Sequence, residues 1–460
     1  MKTLILAALL AQPAAAEIPA KTIEQAKACV VSIERRTTLA INGEKAGRAR
    51  ATGFIADLAD GIIATNRHVT GASPAKYKVI FRDGSSAPAR LLYYDPFNDF
   101  AFLKFSTETA RSGLAEASFA PEGSLAEGSE VFMIGNNEGY EYSVKTGKVT
   151  SLAVHKGRRH TLSIQTSFDR TGGSSGSPVF SARGRVAAIH SQGSETSSFE
   201  VPAAYLKDAL YMLKAGAPPR RGDPGVKLAP VRLSDALRDL GLKPAAWARI
   251  LAARPGTRRV LRVEKALPPG PLAPGDIVVA VDGVVIGDDS YLFDKLMDGR
   301  AGGEADIDVA RNGSTETLRV PVAEANAAKV LRFVSFSGGI FTPYTAEARL
   351  ETGENSDGVL MVRADKGSPF YGGGAGPMLF TAINGVKIKT LRDLETAVSG
   401  IKDKAVINYV SLNLGSAKRS PRAGWLNADL KFWPLKVYKW SPSALDWTVE
   451  QFSNGSGGLP

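Results

Sequence analysis

The stretch TGGSSGSPVF at residues 171–180 constrains the fold of this chain more than any other. Glycines flank Ser175 on both sides, and glycine readily adopts the left-handed backbone that a tight turn needs. Such a turn can aim several N–H groups into one small pocket, and Val179-Phe180 after the proline begin a strand that anchors it. A serine nucleophile requires this local geometry. The alternative is a flexible Gly/Ser-rich linker or hairpin loop, which the segment alone does not exclude.

Two upstream residues are candidates to complete a catalytic triad with Ser175, over an oxyanion hole formed by the N–H groups of Gly173 and Ser175. His68 follows the apolar stretch GIIAT closely, and Asp99 opens the alternating strand FAFLKF. A carboxylate at the edge of an apolar strand is costly unless it is paired, and a histidine N–H is a suitable partner. The alternatives are that His68 is structural and that Asp99 only caps a turn. Asp95, which precedes a proline, suits turn initiation.

Composition describes an ordinary globular protein. Its 460 residues are enough for two to four domains at roughly 100–200 residues each, and 44% are hydrophobic against 22% charged. The net charge of +11 suggests a nucleic-acid partner, but the basic residues are scattered in short clusters, none interleaved with aromatics. These clusters are Arg158-Arg159, Arg220-Arg221 and Arg258-Arg259. We therefore expect a solvated basic surface and no nucleic-acid binding. Histidine and cysteine spacing predicts no metal site and no cofactor.

The first 16 residues, MKTLILAALLAQPAAA, have the pattern of a secretory signal. A lysine precedes a short apolar core, and an A-x-A cleavage site follows it. That core is too short to span a bilayer, and no later apolar stretch reaches about 18 residues. The sequence thus predicts export to the periplasm or the medium, without an integral membrane segment. The only cysteine, Cys29, has no disulfide partner in the chain and is expected to be a buried structural thiol.

Further along the chain, the pattern changes from all-β to mixed. From Val30 to Phe105 short apolar runs alternate with turn residues, which is typical of strands. The Pro/Gly/Arg-rich stretch 217–225 reads as an interdomain linker. Beyond it, GDIVVAVDGVVIGDDSYLFDKLMDG predicts two short strands and a helix, and MLFTAINGVKIKTLRDLETAVSG repeats this pattern about a hundred residues later.

His68, Asp99 and Ser175 occur in the order found in chymotrypsin-like double β-barrel proteases. The segments around them resemble the DegP/HtrA family, and these segments are ATGFI, ATNRHV, NDFAFLKF, VFMIGNNEGYEYSVKTGKVTSL and GGSSGSPVF. Most of that family carries G-N-S-G-G-P at the nucleophile. The GGSSGSP variant is similar to the branch with the plant Deg-type and fungal nuclear HtrA-like proteases. The fungal relatives typically hold two copies of the unit, and this chain holds one.

The resemblance implies a mainly β chain, with a chymotrypsin-like double β-barrel protease domain followed by two PDZ-like α+β domains. The expected boundaries are 1–16 for the signal, 17–216 for the protease, 217–225 for the linker, 226–324 and 325–437 for the PDZ-like domains, the second divergent, and 438–460 for a C-terminal tail. A PDZ domain adds a peptide strand to its edge and holds the terminal carboxylate in a backbone nest. The expected nest in the second unit is Gly338, Gly339, Ile340 and Phe341. For the first unit, Leu240-Gly241-Leu242 is the only suggestion.

The same resemblance implies an exported serine endopeptidase that cleaves unfolded or misfolded proteins in quality control, with a homotrimer as the expected assembly. The strand end at Ser191, Gln192 and Gly193 should pair with the substrate backbone. Asp169, six residues before the nucleophile, would lie at the base of the S1 pocket and favour Lys or Arg at P1. The alternatives for P1 are the aliphatic preference of the family and a solvated loop role for Asp169. The alternative function is a non-proteolytic peptide-binding chaperone or PDZ adaptor, which an intact triad argues against.

Overall fold

Two closed β-barrels and two further sheets follow one another along the chain, which confirms the mainly β prediction with a double barrel. The structure is a computed structural model that describes residues 18–41, 43–109, 113–137, 139–155, 161–169, 172–371, 377–416 and 419–452. The signal segment expected at 1–16, the glycine run at 372–376 and the last residues of the expected tail lie outside the described residues. No helix in the described ranges is long and apolar enough to cross a membrane.

The first barrel is built from six strands. They are β1 (Val30–Thr37), β2 (Gly47–Asp57), β3 (Ile62–Thr65), β4 (Ala75–Ile80), β5 (Ser86–Tyr94) and β6 (Ala101–Phe105), closed in the order β1-β2-β3-β6-β5-β4. Along β5, Ala87, Ala89 and Leu91 are buried and alternate with exposed neighbours, as a strand with one face inward requires. Helix α1 (Ala20–Ala26) precedes the barrel, and the short α2 (Arg67–Thr70) follows β3. Cys29 is buried as predicted, and burial raises the pKa of its thiol to about 12.

The second barrel also has six strands and shares a core with the first. They are β7 (Glu130–Asn137), β8 (Tyr140–His155), β9 (Leu162–Thr166), β10 (Pro178–Ser181), β11 (Val186–Gly193) and β12 (Ser198–Pro202), closed in the order β10-β11-β12-β9-β8-β7. Phe54 and Phe102 of the first barrel pack in one cluster with Phe132 and Phe180 of the second. Helix α3 (Ala203–Lys214) completes this cluster. The shared core fixes the two barrels relative to each other, so loops from both can meet at one site.

The third sheet carries the first PDZ-like pattern. Its elements are β13 (Gly222–Asp223), β14 (Val226–Arg232), α4 (Leu233–Asp239), α5 (Pro244–Ala253), β15 (Arg259–Ala266), β16 (Ile277–Val281), β17 (Val284–Val285), α6 (Ser290–Gly299), β18 (Gly303–Arg311) and β19 (Ser314–Glu324). The strand order is β13-β19-β18-β16-β15-β14, with β17 on β16. Strand β14 is therefore an edge strand, and no strand pairs with its outer side in the described part of the chain.

The segment 217–225, predicted as an interdomain linker, connects α3 to β14, but part of it is buried and paired. Gly222–Asp223 forms β13, which pairs with β19. Arg221, expected to be solvated, is only 6% exposed. Its guanidinium lies 3.0 Å from Asp95 of the first barrel and 2.6 Å from Asp298 of α6. A buried arginine is tolerated where carboxylates surround it, and these partners are too distant in sequence for local composition to reveal.

One face of α6 is fixed to the barrels by a row of polar contacts. Ser290 hydrogen-bonds with His155 at 2.7 Å, the Tyr291 hydroxyl donates to Asp208 at 2.8 Å, and the Tyr205 hydroxyl donates to Asp294 at 3.0 Å. The adjacent face, with Phe293 and Met297, packs in the core of the third sheet. The third-sheet unit is thus attached to the protease barrels along a whole helix.

The fourth sheet repeats the topology of the third. Its elements are β20 (Arg332–Phe336), β21 (Gly339–Pro343), α7 (Ala346–Thr352), β22 (Val359–Ala364), β23 (Met378–Ile383), β24 (Val386–Lys387), α8 (Leu391–Ser399), β25 (Val406–Asn413), β26 (Arg422–Asn427), β27 (Lys436–Ser441) and β28 (Asp446–Gln451). The order is β26-β25-β23-β22-β21-β20-β27-β28, with β24 on β23. The run from β26 to β21 matches the run from β19 to β14, which confirms the internal repeat. Strands β20, β27 and β28 are additions at its edge.

The tail expected to begin at residue 438 is wrong, since the boundary falls inside β27. This strand pairs with β20, for example Val437 with Val334, and β28 pairs in turn with β27. The partner strand lies about a hundred residues earlier in the chain, so a local reading of 438–452 shows apolar residues without showing what they pack against. The fourth sheet therefore extends to residue 451.

Candidate active site

His68 and Asp99 are brought together where two strands of the first barrel end. His68 lies on α2, directly after β3, and Asp99 directly precedes the strand that pairs with β3. The imidazole Nδ1 lies 2.6 Å from Asp99 Oδ2, and the backbone N–H of His68 donates to Oδ1 at 2.9 Å. The side-chain amide of Asn66 donates to the Asp99 carbonyl at 2.8 Å. Both carboxylate oxygens are thus engaged by one residue, which fixes the orientation of the imidazole ring.

Asp95 builds the turn that leads into Asp99. Its Oδ1 accepts the backbone N–H groups of Phe97 at 2.9 Å and Asn98 at 2.7 Å, and its Oδ2 accepts the Tyr93 hydroxyl at 3.1 Å. This is the turn role predicted for it. The buried partner Arg221 was not predicted.

The charges of the pair reinforce one another. Partial burial lowers the pKa of His68, but its hydrogen bond to Asp99 and the negative charge of Asp99 raise it by more, so the pKa of His68 lies above its ordinary value. Burial raises the pKa of Asp99, and hydrogen bonds from His68 and Ser191 lower it by more, so the pKa of Asp99 lies below its ordinary value. The arrangement therefore favours an ionised carboxylate that stabilises an imidazolium.

The side chain of Ser191 contacts Asp99. Its hydroxyl donates to Asp99 Oδ2 at 2.6 Å, so it supports the carboxylate. Gln192 and Ser191 line one cavity with His68 and Asp99. Gly193 pairs with Ser198 between β11 and β12. The pairing of this strand end with a substrate backbone stays a prediction.

The nucleophile loop needs its glycines for steric reasons. Gly173 and Gly176 have φ angles of 89° and 86°, in the left-handed region. A Cβ at Gly173 would lie 2.1 Å from the Asn136 carbonyl oxygen, and one at Gly176 would lie 2.0 Å from the Thr52 carbonyl oxygen. Only glycine fits at either position. Ser175 lies between them, half-buried, at the turn before β10.

Thr52 of β2 connects this loop to the first barrel, and sequence reasoning missed it. Its backbone N–H donates to the Ser175 carbonyl at 2.9 Å, and its hydroxyl donates to the Gly173 carbonyl at 3.1 Å. The same hydroxyl accepts the backbone N–H of Asn136 at 2.9 Å. The available signal was a small hydroxyl residue inside the apolar run ATGFI, which was assigned only as a strand.

No hydrogen bond joins Ser175 Oγ to the His68 imidazole among the described residues. Catalytic hydrogen bonds are often long before substrate binds and tighten in the complex, so this geometry is compatible with a nucleophile–base pair. The loop that carries Ser175 packs near the pair, since a Cβ at Gly176 would lie 2.4 Å from the hydroxyl oxygen of Thr65, three residues before His68, and the Gly176 N–H donates to the His190 carbonyl at 3.1 Å, next to Ser191. The roles of Ser175 and of the N–H groups of Gly173 and Ser175 stay predictions.

The structure contradicts the placement of Asp169 at the base of a specificity pocket. Its side chain is 66% exposed and pairs with Lys145 at 2.5 Å, and this partner lowers the pKa of Asp169. A carboxylate that selects a basic P1 side chain has to lie inside a desolvated pocket. Counting residues back from the nucleophile failed because the loop before it has its own conformation.

The expected carboxylate nest at Gly338, Gly339, Ile340 and Phe341 is also wrong. Gly338 lies in the tight turn between β20 and β21, and Gly339 pairs with Phe336. Ile340 and Phe341 are fully buried. The suggestion Leu240-Gly241-Leu242 in the third-sheet unit fails because two of its three N–H groups, those of Leu240 and Leu242, already donate to the Ala236 carbonyl. Glycine-rich sequence indicated tight turns correctly, but it does not show which backbone groups remain unpaired.

A large cavity lies in front of the His68–Asp99 pair. Its volume is about 1140 Å³, and its lining includes Lys227 of the third-sheet unit and Pro343 and Glu347 of the fourth-sheet unit. Pockets for small ligands measure roughly 300–1,000 Å³. The volume of this space suits a polymer segment better than a small molecule.

Comparison with known proteins agrees with this geometry. A family model described as trypsin-like peptidase domain matches residues 51–189, and one described as PDZ domain matches residues 228–322. The chain belongs to the DegP/HtrA-type serine proteases. Among solved structures, the HtrA-type protease AlgW with a tripeptide shares the fold at a TM-score of 0.51 and 23% identity, covering 66% of this chain and 96% of that one.

Fungal proteases of the same type match a longer part of the sequence. The pro-apoptotic serine protease NMA111 of Meyerozyma guilliermondii is 31% identical over 70% of this chain and 34% of its own length. That of Chaetomium globosum is 30% identical over 85% of this chain and 39% of its own length. This DegP/HtrA-type chain thus spans about a third of the length of the curated relatives that it matches.

Proposed function

We propose that this chain is a serine endopeptidase that cleaves extended segments of unfolded or misfolded proteins, using Ser175, His68 and Asp99 as its triad. The observation that carries the proposal is the His68–Asp99 pair, held by two hydrogen bonds at the same inter-barrel site as a glycine-built serine loop. Membership in the family supports the reaction class, and the positions of Ser175, His68 and Asp99 in this chain support their roles as nucleophile, base and acid.

In the first half of the reaction, Ser175 Oγ attacks the peptide carbonyl carbon and its proton passes to His68 Nε2. The N–H groups of Gly173 and Ser175 stabilise the oxyanion that forms. The carbon–nitrogen bond then breaks, and His68 gives the proton to the leaving amine. Asp99 holds the imidazole in the required tautomer and stabilises its charged form.

In the second half, water attacks the acyl-enzyme ester and His68 takes its proton. The second tetrahedral intermediate collapses, the proton returns to Ser175 Oγ, and the new carboxylate leaves. No step requires a metal or a cofactor in this proposal, because a serine triad supplies nucleophile, base and electrophilic stabilisation itself.

The substrate class follows from the cavity and from the third-sheet unit. A cavity of about 1140 Å³ beside the pair has room for several residues of an extended chain. The outer side of edge strand β14 offers a place where a peptide can add as a further strand, and Lys227 of β14 lines the same cavity. A C-terminal peptide bound there would lie beside the active site. We further propose a role in quality control after export, for which residues 1–16 provide the signal, and assembly as a homotrimer.

The test is digestion of casein and of a reduced, denatured protein by the wild type and by Ser175→Ala. The wild type should degrade both substrates and leave the native form of the second intact, while Ser175→Ala should degrade neither. A folded wild type that binds these proteins without cleaving them would favour a peptide-binding chaperone. Cleavage by Ser175→Ala at the wild-type rate would assign the nucleophile elsewhere.

A further inference from the structure

The fourth-sheet unit (residues 332–451) fills its own peptide groove. Strand β20 pairs with β21 on the side that corresponds to the open outer edge of β14 in the third sheet. Helix α8 contacts both β20 and β21, so β20 has the place that an added peptide strand would take. The Arg332 guanidinium of β20 binds the Glu395 carboxylate of α8 through two hydrogen bonds, one of 2.7 Å from Nε. Glu395 is only 5% exposed while the Arg332 side chain is 31% exposed, so this strand is held by a partly buried ion pair.

The added hairpin of this unit binds the first barrel. Trp440 of β27 packs against the barrel core, beside Leu91 and Tyr94. Arg90 of β5 donates to the Asp446 carboxylate at 2.9 Å and to the Ala444 carbonyl at 3.1 Å. These contacts join the edge of the fourth sheet to the barrel that carries His68 and Asp99.

The segment that leads into the unit is fixed in the same place. The Lys329 Nζ lies 4.1 Å from the centre of the Tyr93 ring and 4.3 Å from that of Tyr94, both on the first barrel. Burial lowers the pKa of Lys329 to about 7, so the contact is a cation–π interaction in the protonated form. Ile41, from the loop after β1, is 1% exposed and packs with Phe333 and Ile340. Apolar burial and cation–π contacts therefore act together at this interface.

The unit also reaches the third sheet, and so encloses the space in front of the catalytic pair. The Lys265 ammonium of β15 donates to the Glu351 carbonyl of α7 at 2.9 Å. Pro343 of β21 and Glu347 of α7 line the same cavity as His68 and Asp99. The cavity is thus bounded by the barrels on one side and by both later units on the others.

We propose that the fourth-sheet unit binds no peptide and instead forms a fixed wall of the substrate cleft, which admits extended chains and excludes folded ones. The proposal rests on the protease function proposed above, since it assigns the specificity of that site. A unit whose groove is filled by its own strand has no free edge there for a substrate terminus. A unit joined to both neighbours limits the width of the cleft.

The test weakens the attachment of the wall without changing the catalytic residues. Trp440→Ala/Asp446→Lys removes the apolar anchor and places a positive charge opposite Arg90. The control is Trp425→Ala/Asp357→Lys in the same unit, where Trp425 is 69% exposed on the far edge strand β26. Each protein is given a short fluorogenic peptide and a folded protein that displays the same sequence in a surface loop.

For each protein we compare kcat/KM on the folded substrate with kcat/KM on the peptide. Trp440→Ala/Asp446→Lys should raise this ratio by about tenfold or more, which corresponds to about 1.4 kcal/mol in the relative activation barrier. The control should keep the wild-type ratio, and Arg90→Ala should give a smaller rise. If the ratio is unchanged both in Trp440→Ala/Asp446→Lys and in Arg90→Ala, the proposal that this unit forms a wall of the cleft is wrong. Labelling of Ser175 by a fluorophosphonate separates the two proposals, because its absence in the wild type would overturn the protease function itself.

The filled groove has a direct readout in the full chain. Backbone amides of Val334 and Phe336 should exchange slowly with deuterium, and a C-terminal peptide at saturating concentration should leave their exchange unchanged. Peptide-induced loss of protection there would show that β20 can be displaced, and would overturn the proposal that this unit binds no peptide.

Discussion

Replacing Thr52 by valine removes one hydroxyl and keeps the shape of the side chain. That hydroxyl accepts the Asn136 N–H at 2.9 Å and donates to the Gly173 carbonyl at 3.1 Å. Asn136 is only 7% exposed, so leaving its N–H unpaired should cost about 1–3 kcal/mol of folding free energy. Losing the bond to Gly173 should cost about 1 kcal/mol more. The lost bond to Gly173 loosens the loop that carries the N–H groups of the proposed oxyanion hole.

The loss at Gly173 should appear in catalysis rather than in substrate binding. A loosened loop lowers the fraction of molecules with Gly173 in position, and about 1.4 kcal/mol corresponds to a tenfold change in rate. Since the lost bond is worth about 1 kcal/mol, we expect kcat of Thr52→Val on a fluorogenic peptide to fall about fivefold, with little change in KM. Thr52→Ser keeps the hydroxyl and should remain near wild type. A folded Thr52→Val with wild-type kcat would refute the assignment of Thr52 as a positioning residue.

Three further outcomes follow from the same geometry. Asp99→Asn should lower kcat by roughly 10⁴-fold by stabilising the wrong tautomer of His68, and near-wild-type turnover with loss in Asp95→Asn would reassign the acid. His68 acts as a base only when it is neutral, and its pKa is raised. The value of kcat/KM should therefore fall with decreasing pH, with the midpoint of the fall above about pH 6.5. In any residual Asp99→Asn activity this fall should occur at lower pH, because the Asp99 charge that raises the pKa of His68 is lost while burial and the charge of Arg35 still lower it. Arg221→Met leaves two carboxylates without their buried cation and should lower the free energy of unfolding by about 3–5 kcal/mol in denaturant titration, against a smaller loss for Arg221→Lys.

The barrels and the His68–Asp99 pair were predictable because their signals are local. Apolar alternation marks strands such as β5, and the glycines around Ser175 mark a turn that no other residue can adopt. The choice of Asp99 over Asp95 rested on a strand edge where a carboxylate needs a partner, and the structure pairs Asp99 with His68.

The errors have a common physical origin, which is that composition does not show which groups are paired with each other. Arg221 looked solvated because its partners Asp95 and Asp298 come from other domains. Gly338 and Gly339 were predicted to form an open nest because composition does not show that Gly339 pairs with Phe336 of β20. Asp169 was placed by counting residues, although its loop and its partner Lys145 decide where it points.

The most direct test of the central claim is covalent labelling with a fluorophosphonate, followed by peptide mapping, in the wild type and in His68→Ala. The reagent reacts with a serine hydroxyl only where a neighbouring base activates it. We expect one label for each active wild-type chain, on Ser175, and a loss of labelling by several orders of magnitude in folded His68→Ala. Labelling on another serine, or equal labelling of Ser175 with and without His68, would contradict the triad.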